Sequence, residues 1–194
     1  MYSTKLRFFH TTVVIFFVAL AFFLGCVTEK KVPESVLDTP GHHALSGFKL
    51  IKKGYPYHAK REFELALQLD PDYSPAHRGM GMVYIMKGKF QLAFDSMQSA
   101  ADFAATREDK ALSYVGFMYL YTTQKDIGWL KKVEEEFSKV ILLIEELPEA
   151  YFQMGVAYKQ AGQPTESEEA FKKVLIINKR LVPEATKEIE GFRK

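Results

Sequence analysis

The side chains of this sequence that could do chemistry are few and scattered. His42 and His43 stand next to each other, with His58 and His77 as the only histidines after them and no cysteine nearby. A metal site needs three or four ligands that converge on one ion. The pair therefore predicts exposed polar residues at a helix start, and the sequence predicts no metal site.

The densest group of carboxylates is Glu134 to Glu136. Successive residues of an α-helix point roughly 100° apart, so three in a row cannot converge on one substrate and are typical of a solvated face. Gly79 and Gly81 are too few glycines for a nucleotide-binding loop, and the sequence has no nucleophile or phosphate-loop motif. We predict a protein that is not an enzyme and that needs no cofactor.

The single cysteine lies at the end of an N-terminal segment with its own composition. Two basic residues precede an unbroken apolar run of 12 residues, from Val13 to Leu24, and Cys26 follows. The run has the length of a signal peptide and is shorter than the roughly 20 residues of a membrane-spanning helix. Gly25-Cys26 resembles the lipobox of bacterial lipoproteins, in which the cysteine receives a diacylglycerol and becomes the mature N-terminus.

This resemblance implies a signal peptide over residues 1–25, lipid attachment at Cys26 and a tether over 26–40. Val27, rather than an aspartate, implies retention at the outer membrane by the sorting rule of that family. An uncleaved signal anchor in the inner membrane, recruiting an envelope complex, is the alternative. Both place the body of the protein in the bacterial cell envelope, facing the periplasm.

The charge of the body after Cys26 is balanced. All 24 acidic residues lie after Cys26, and two of the 26 basic residues lie before it, which leaves 24 of each sign. A neutral body gives no electrostatic reason to expect nucleic-acid binding.

A period of 34 residues runs through the body. It joins small residues in four pairs, Gly47/Gly81, Gly54/Gly88, Ala59/Ala93 and Ala66/Ala100. The frame returns near the C-terminus in Gly155, Tyr158, Gly162 and Phe171. This resembles the tetratricopeptide repeat (TPR), in which 34 residues form two antiparallel helices.

The resemblance implies an all-α fold, a right-handed α-solenoid of about four TPR-like helix pairs over residues 41–194. We predict repeats over about 40–73, 74–107, 108–147 and 148–181 and a C-terminal capping helix over 183–193. Four larger side chains are predicted to fill the space between neighbouring repeats: Phe63, Met97, Phe137 and Phe171. Ser74 and Pro75 predict a helix N-cap followed by proline at the first helical position.

The third repeat is the irregular one. With Gly116 taken as the equivalent of Gly81, the 39 residues from Gly116 to Gly155 predict an insertion of about five residues near 122–129. Trp129 lies beside this insertion and is predicted to be buried rather than exposed.

In TPR arrays the first helix of each repeat lines a concave groove. Carried over to this sequence, the predicted groove residues are Phe48, Ile51, Arg78, Met82, Met86, Phe117, Tyr121 and Phe152. Such an apolar, aromatic and methionine-containing lining suits a protein or peptide partner. The known TPR clamp for acidic chaperone tails carries lysine and asparagine at two positions of the repeat, where this sequence has Ala44 and Phe48, then Arg78 and Met82, so that clamp is absent.

These features together resemble bacterial TPR lipoproteins. They predict a membrane-anchored scaffold that mediates protein–protein interaction in the cell envelope. An assembly factor or pilotin-like component of a pilus or secretion machine is the alternative. Homo-oligomerisation through the groove, or packing of the groove residues within the domain, stays open.

Overall fold

The computed structural model describes residues 38–177 and 181–191, and all regular structure in these ranges is helical. The predicted signal peptide or anchor (1–25), the attachment point Cys26 and nearly all of the predicted tether lie outside the described residues. Among the described residues, no helix is long and apolar enough to cross a bilayer. The helices are α1 (Pro40–Lys52), α2 (Pro56–Leu69), α3 (Ser74–Met86), α4 (Phe90–Asp102), α5 (Arg107–Gln124), α6 (Trp129–Leu143), α7 (Pro148–Gln160), α8 (Pro164–Ile177) and α9 (Val182–Gly191).

Local signals in the sequence set the helix starts. Proline, which lacks an N–H group to leave unpaired, stands in the first turn of several helices, including α1 and α7. The Thr39 oxygen caps α1 by accepting from the His42 N–H at 3.2 Å. Ser74 was expected to cap α3, but it is the first residue of that helix. Its buried Oγ instead donates to the Ala100 carbonyl at 2.7 Å, tying the start of α3 to the end of α4.

The helices pack as four successive pairs, α1/α2, α3/α4, α5/α6 and α7/α8, with α9 against α8. The first helices of neighbouring pairs also contact each other, whereas second helices of neighbouring pairs share no comparable contact. Neighbouring first helices therefore lie closer together than neighbouring second helices, so the layer of first helices forms the concave side. This arrangement confirms the predicted all-α solenoid of four helix pairs with a capping helix.

Glycines on the first helices allow the pairs to approach closely. The Phe63 ring, fully buried, lies against Gly47 of its own pair and Gly79 of the next one. A Cβ at Gly79 would stand 2.2 Å from this ring, and one at Gly47 would stand 2.5 Å from it. Met97 lies in the same way between Gly81 and Gly116, where an added Cβ would be 2.3 Å from its sulfur.

These contacts set the register of the third pair. Gly116 meets a side chain of the preceding pair, as Gly79 does, so it is equivalent to Gly79 and not to Gly81. Met118, fully buried, then takes the position of Gly81. The third repeat thus begins two residues later than the alignment on Gly116 predicts. Three extra residues precede Met118, and three lie in the turn between Met118 and Gly128, so the insertion predicted near 122–129 holds only part of the extra length.

The turn after each first helix supports this register. Gly54, Gly88 and Gly162 adopt positive φ seven residues after Gly47, Gly81 and Gly155. Seven residues after Met118, Lys125 has a φ of 53° and is the only non-glycine residue with positive φ in the described chain. Lys125 therefore ends α5 with the positive φ that glycine supplies in the other three pairs, and Gly128, with a φ of 72°, follows three residues later before α6.

Phe137 differs from the other three predicted inter-repeat residues. Phe63, Met97 and Phe171 are fully buried, but Phe137 is only partly buried and packs edge-to-face on Tyr151 at 5.2 Å. The reason is that Met118 occupies the site where glycine would have received its ring. Trp129 is half-buried against the α5/α6 core, between the two outcomes considered for it.

The capping helix closes the end of the solenoid. Ala185 and Ile189 of α9 are buried against Phe171 and Val174 of α8. Glu184, in the first turn of α9, pairs with Lys52 of α1 at 3.2 Å. The first and last helices therefore meet across the concave side.

Candidate partner-binding groove

The concave face contains an open cavity of about 290 Å³ between α3, α5 and α7. Most of its surface is apolar. Its lining consists of Arg78, Met82, Leu112, Val115, Gly116, Tyr119, Glu149, Phe152, Gln153 and Leu181. We call this space the concave cavity.

Three of the predicted groove residues, Arg78, Met82 and Phe152, line the concave cavity. Phe48 lies behind it, with its ring edge-to-face on Phe63 at 5.1 Å and the Arg78 guanidinium 4.6 Å above its centre. Ile51 is half-buried in the core of the first two pairs. Met86, at the end of α3, is 41% exposed and does not reach the cavity.

Phe117 and Tyr121, the predicted groove residues of the third repeat, lie elsewhere. Phe117 is only 4% exposed and packs edge-to-face against Phe94 of α4 at 5.3 Å. Tyr121 stacks on Phe117 and lines a separate cavity of about 210 Å³ beside α4 and α6. The two-residue difference in register turns both side chains away from the concave side, because two helical residues correspond to roughly 200° of rotation.

The residues that replace them are Leu112, Val115 and Tyr119. In the corrected register they occupy the same repeat positions as Pro75, Arg78 and Met82 of α3. The sequence left the register of α5 ambiguous. Helix α3 has two glycines, Gly79 and Gly81, and Gly116 can be aligned with either. The glycine of the turn after α5, Gly128, lies three residues beyond the position that the turns of the other pairs would give, so it does not decide between the two.

The guanidinium of Arg78 is the only cationic group in the cavity lining. Burial lowers its pKa, while the carboxylates of Asp109, Glu149 and Glu108 act in the opposite direction from a distance. Within the described ranges, no carboxylate forms an ion pair with Arg78, and its buried Nε has no hydrogen-bond partner. The Arg78 guanidinium thus lines an apolar space, and its Nε–H group has no hydrogen-bond acceptor.

Comparisons with known proteins agree with this geometry. Residues 148–181 match the family model of the tetratricopeptide repeat. The structure is similar to TTC0263, a thermophilic TPR protein of Thermus thermophilus, with a TM-score of 0.66 and 16% identity over 77% of this chain and 79% of that one. The chain is an all-helical solenoid that is similar in fold to TPR proteins.

The TPR solenoid is also similar to the structure of the APC/C hetero-tetramer Cut9–Hcn1. The TM-score is 0.59 and the identity 14%, over 78% of this chain but only 29% of the similar chain. No curated protein matches the sequence.

Two titratable residues outside the concave cavity, His43 and Glu136, are less exposed than the sequence predicted. His43 was expected on the surface, but its Nδ1 lies 2.8 Å from Glu62 and its Nε2 lies 3.2 Å from Asp38. Partial burial opposes the charged imidazole, yet the hydrogen bonds and charges of Glu62 and Asp38 prevail and raise the pKa of His43. His43 therefore joins the start of α1 to α2.

Glu136 is the second of these residues. It is 7% exposed, and its Oε1 accepts from Lys139 at 2.7 Å, whereas Glu134 and Glu135 are exposed as predicted. Three consecutive residues cover roughly 200° of a helix, so a run of three cannot all face solvent on a helix that packs on one side. Burial raises the pKa of Tyr121, and the charge of Glu136, on the other side of the α5/α6 interface, raises it further.

The TPR domain shows no grouping of three metal-binding side chains within 38–177 and 181–191. His42 and His43 do not share an ion-binding geometry, since their rings are 5.8 Å apart and nearly perpendicular. The concave cavity, with its apolar lining and single cation, is the candidate site considered below.

Proposed function

We propose that this chain is a scaffold that holds a protein partner on the concave face of its TPR domain. A second part of the proposal is that the N-terminus anchors the chain in a bacterial envelope membrane, facing the periplasm. The observation that carries the first part is the open, mainly apolar cavity that runs across three successive first helices. Apolar surface left open on a folded domain is typical of a partner site.

The chemistry of the lining suits a peptide segment. Met82 is flexible and polarisable, and Tyr119 and Phe152 offer broad apolar faces, so the surface adapts to side chains of different shape. The similar TPR-fold chain of the Cut9–Hcn1 structure is part of a protein complex. Binding, rather than catalysis, is therefore the role that we propose.

The test of the groove is a pull-down from solubilised envelope membranes, with the Met82→Ala/Phe152→Ala double variant beside the wild type. The control is Leu142→Ala/Ile176→Ala, which truncates two apolar side chains that are 83% and 78% exposed outside the cavity. A partner captured by wild type and control but lost with the cavity variant supports the proposal. Equal capture by all three chains would place the partner site outside the concave face. Capture of a second copy of this chain alone would indicate homo-oligomerisation.

The anchoring proposal rests on the sequence before the TPR domain. The apolar run ends at Gly25-Cys26, and Cys26 is the only cysteine of the chain, which is simpler to explain as a lipid attachment point than as a core residue. Full lipidation would bind the protein firmly, since each buried methylene contributes about 0.8 kcal/mol.

Cys26→Ser tests this anchoring. In cells supplied with an alkyne-labelled fatty acid, we expect wild type to incorporate the label, to lose the signal peptide by mass, and to sediment with outer membranes. The variant should remain unlabelled and unprocessed. Unlabelled wild type with an intact N-terminus would instead favour the uncleaved inner-membrane anchor, because a spanning helix does not need the thiol.

A further inference from the structure

Two buried nitrogen donors in the concave cavity have no acceptor. One is Nε of Arg78 on α3, and the other is Nε2 of Gln153 on α7. Both residues belong to the lining of the same cavity, and Gln153 is only 8% exposed. Buried donors in proteins are nearly always paired, so two unpaired donors on residues that line the same open cavity point to a ligand that brings the acceptor.

The rest of the lining defines what surrounds that acceptor. Leu112, Val115, Tyr119, Phe152 and Leu181 present apolar surface from α5, α7 and the residue before α9. A ligand that fits must therefore combine apolar side chains with one group that accepts hydrogen bonds. A peptide segment with a carboxylate between apolar residues has this combination.

The charge of Arg78 selects a carboxylate over a neutral acceptor. The planar guanidinium offers several N–H groups in a fixed fork, which matches the two oxygens of a carboxylate, and charge-assisted bonds of this kind are the stronger ones. Phe48 stands beneath the guanidinium at 4.6 Å and restricts its movement. The side chain is thus held in place before a ligand arrives.

We propose that the concave cavity recognises an acidic residue within an apolar segment of the partner protein, and that Arg78 and Gln153 receive its carboxylate. This inference rests on the proposed partner-binding role of the groove. It differs from the TPR clamp for acidic chaperone tails, because one arginine and one glutamine from two repeats supply the donors within an apolar lining.

Three carboxylates near the cavity give the proposal a second consequence. Asp109, Glu149 and Glu108 all act on the pKa of Arg78, and of the three only Glu149 lies in the lining. They do not cancel the site, since a carboxylate in direct contact with a guanidinium interacts more strongly than charges without contact. However, they repel the incoming carboxylate, so removal of Glu149, which lies in the lining, should tighten binding.

The experiment is a selection of phage-displayed random dodecapeptides on the full-length chain, followed by a double-mutant cycle. A selected peptide is synthesised with its Asp or Glu and with Asn or Gln in that place, and both versions are measured by fluorescence anisotropy against wild type and Arg78→Met. We expect acidic, apolar peptides to be selected. The acidic version should bind wild type at least tenfold more tightly than Arg78→Met, with little difference for the amide version.

Two further variants separate contact from general charge. Glu149→Gln should bind the acidic peptide two- to fivefold more tightly than wild type, and Arg78→Lys should recover only part of the affinity lost in Arg78→Met. A variant that merely unfolded would lose both peptide versions equally, and circular dichroism checks this directly.

The outcomes distinguish this inference from the proposed function. Selected peptides without acidic residues, or equal loss of acidic and amide versions in a folded Arg78→Met chain, overturn the carboxylate recognition and leave the groove as a partner site. A selection that yields no peptide at all counts against both.

Discussion

Lys125 shows how a single residue can distinguish one repeat from the others. It adopts φ 53° at the turn where Gly54, Gly88 and Gly162 stand in the other pairs. A side chain in this left-handed region costs about 1–2 kcal/mol, and glycine avoids this strain at a smaller entropic cost. The third turn is therefore the least favourable of the four.

We predict that Lys125→Gly stabilises the domain, raising the free energy of unfolding by about 0.5 kcal/mol. Urea denaturation followed by circular dichroism measures the change. The matched control is Gly88→Ala, which places a Cβ at φ 66° and should lower stability by about 1 kcal/mol. A destabilised Lys125→Gly variant would contradict the proposed strain.

His43 makes the stability of the domain depend on pH. Because Glu62 and Asp38 raise its pKa above the ordinary value of 6.5, protonated His43 stabilises the folded state. This contribution is fully present below pH 6.5 and is lost as pH rises through the higher folded-state pKa.

His43→Asn should therefore destabilise the domain by about 0.5 kcal/mol at pH 5.5 and by much less at pH 9, since the pair is partly exposed and screened. The free energy of unfolding in urea at the two pH values tests this. His42→Asn, at the exposed neighbouring position, serves as the control. An equal loss for His43→Asn at both pH values would assign its effect to packing alone.

At the scale of helices, the contact between pairs depends on a ring that enters a gap left by glycine. Phe63 fits between Gly47 and Gly79, whereas Phe137 meets Met118 and stays partly outside. The interface of the third pair is instead filled by Met118, Val133 and Val140, all fully buried. Two kinds of inter-pair packing therefore coexist in one solenoid.

The two phenylalanines should accordingly differ in what they contribute. Phe63→Ala empties an enclosed site and should lower the free energy of unfolding by about 3–5 kcal/mol. The Phe137 side chain is only partly buried, so Phe137→Ala should lower it by about 1–2 kcal/mol. Urea midpoints and slopes of the two variants provide the comparison. Equal losses would mean that the third interface is as tightly packed as the first.

The sequence predicted these elements unevenly. Helix pairs and most helix starts follow from the 34-residue period and from prolines such as Pro148 and Pro164. The register of α5 does not, because Gly116 matches either glycine of α3 and only its contact with Met97 decides between them. Of the predicted groove residues, Arg78, Met82 and Phe152 line the concave cavity, whereas Phe117 and Tyr121 lie on another side of α5.

At the scale of the whole molecule, each pair contacts only its neighbours, apart from the Lys52–Glu184 ion pair between α1 and α9. Stability in such an array is local, and a weakened end can open without the rest. The surface ion pair adds little, because Lys52 is 82% exposed and such pairs contribute about 0–1 kcal/mol. The cap should therefore behave as a separate cooperative unit.

Ile189→Ser tests this expectation. Loss of this buried contact should weaken α9 by about 2–4 kcal/mol. Native-state hydrogen exchange should then accelerate in α8 and α9 while α1 to α4 keep their protection. Uniform acceleration along the chain would show that the solenoid unfolds as one unit.

The sequence by itself indicated the class of structure, since its 34-residue spacing of small and large residues resembles that of stacked helix pairs. It also determined that the lining of the concave side would be largely apolar. Only the tertiary structure decided which side of α5 faces that space, and that Arg78 and Gln153 both line it with a buried, unpaired nitrogen donor each. The physical reason is that periodicity describes each helix alone, whereas register and unpaired donors arise from contacts between helices distant in sequence.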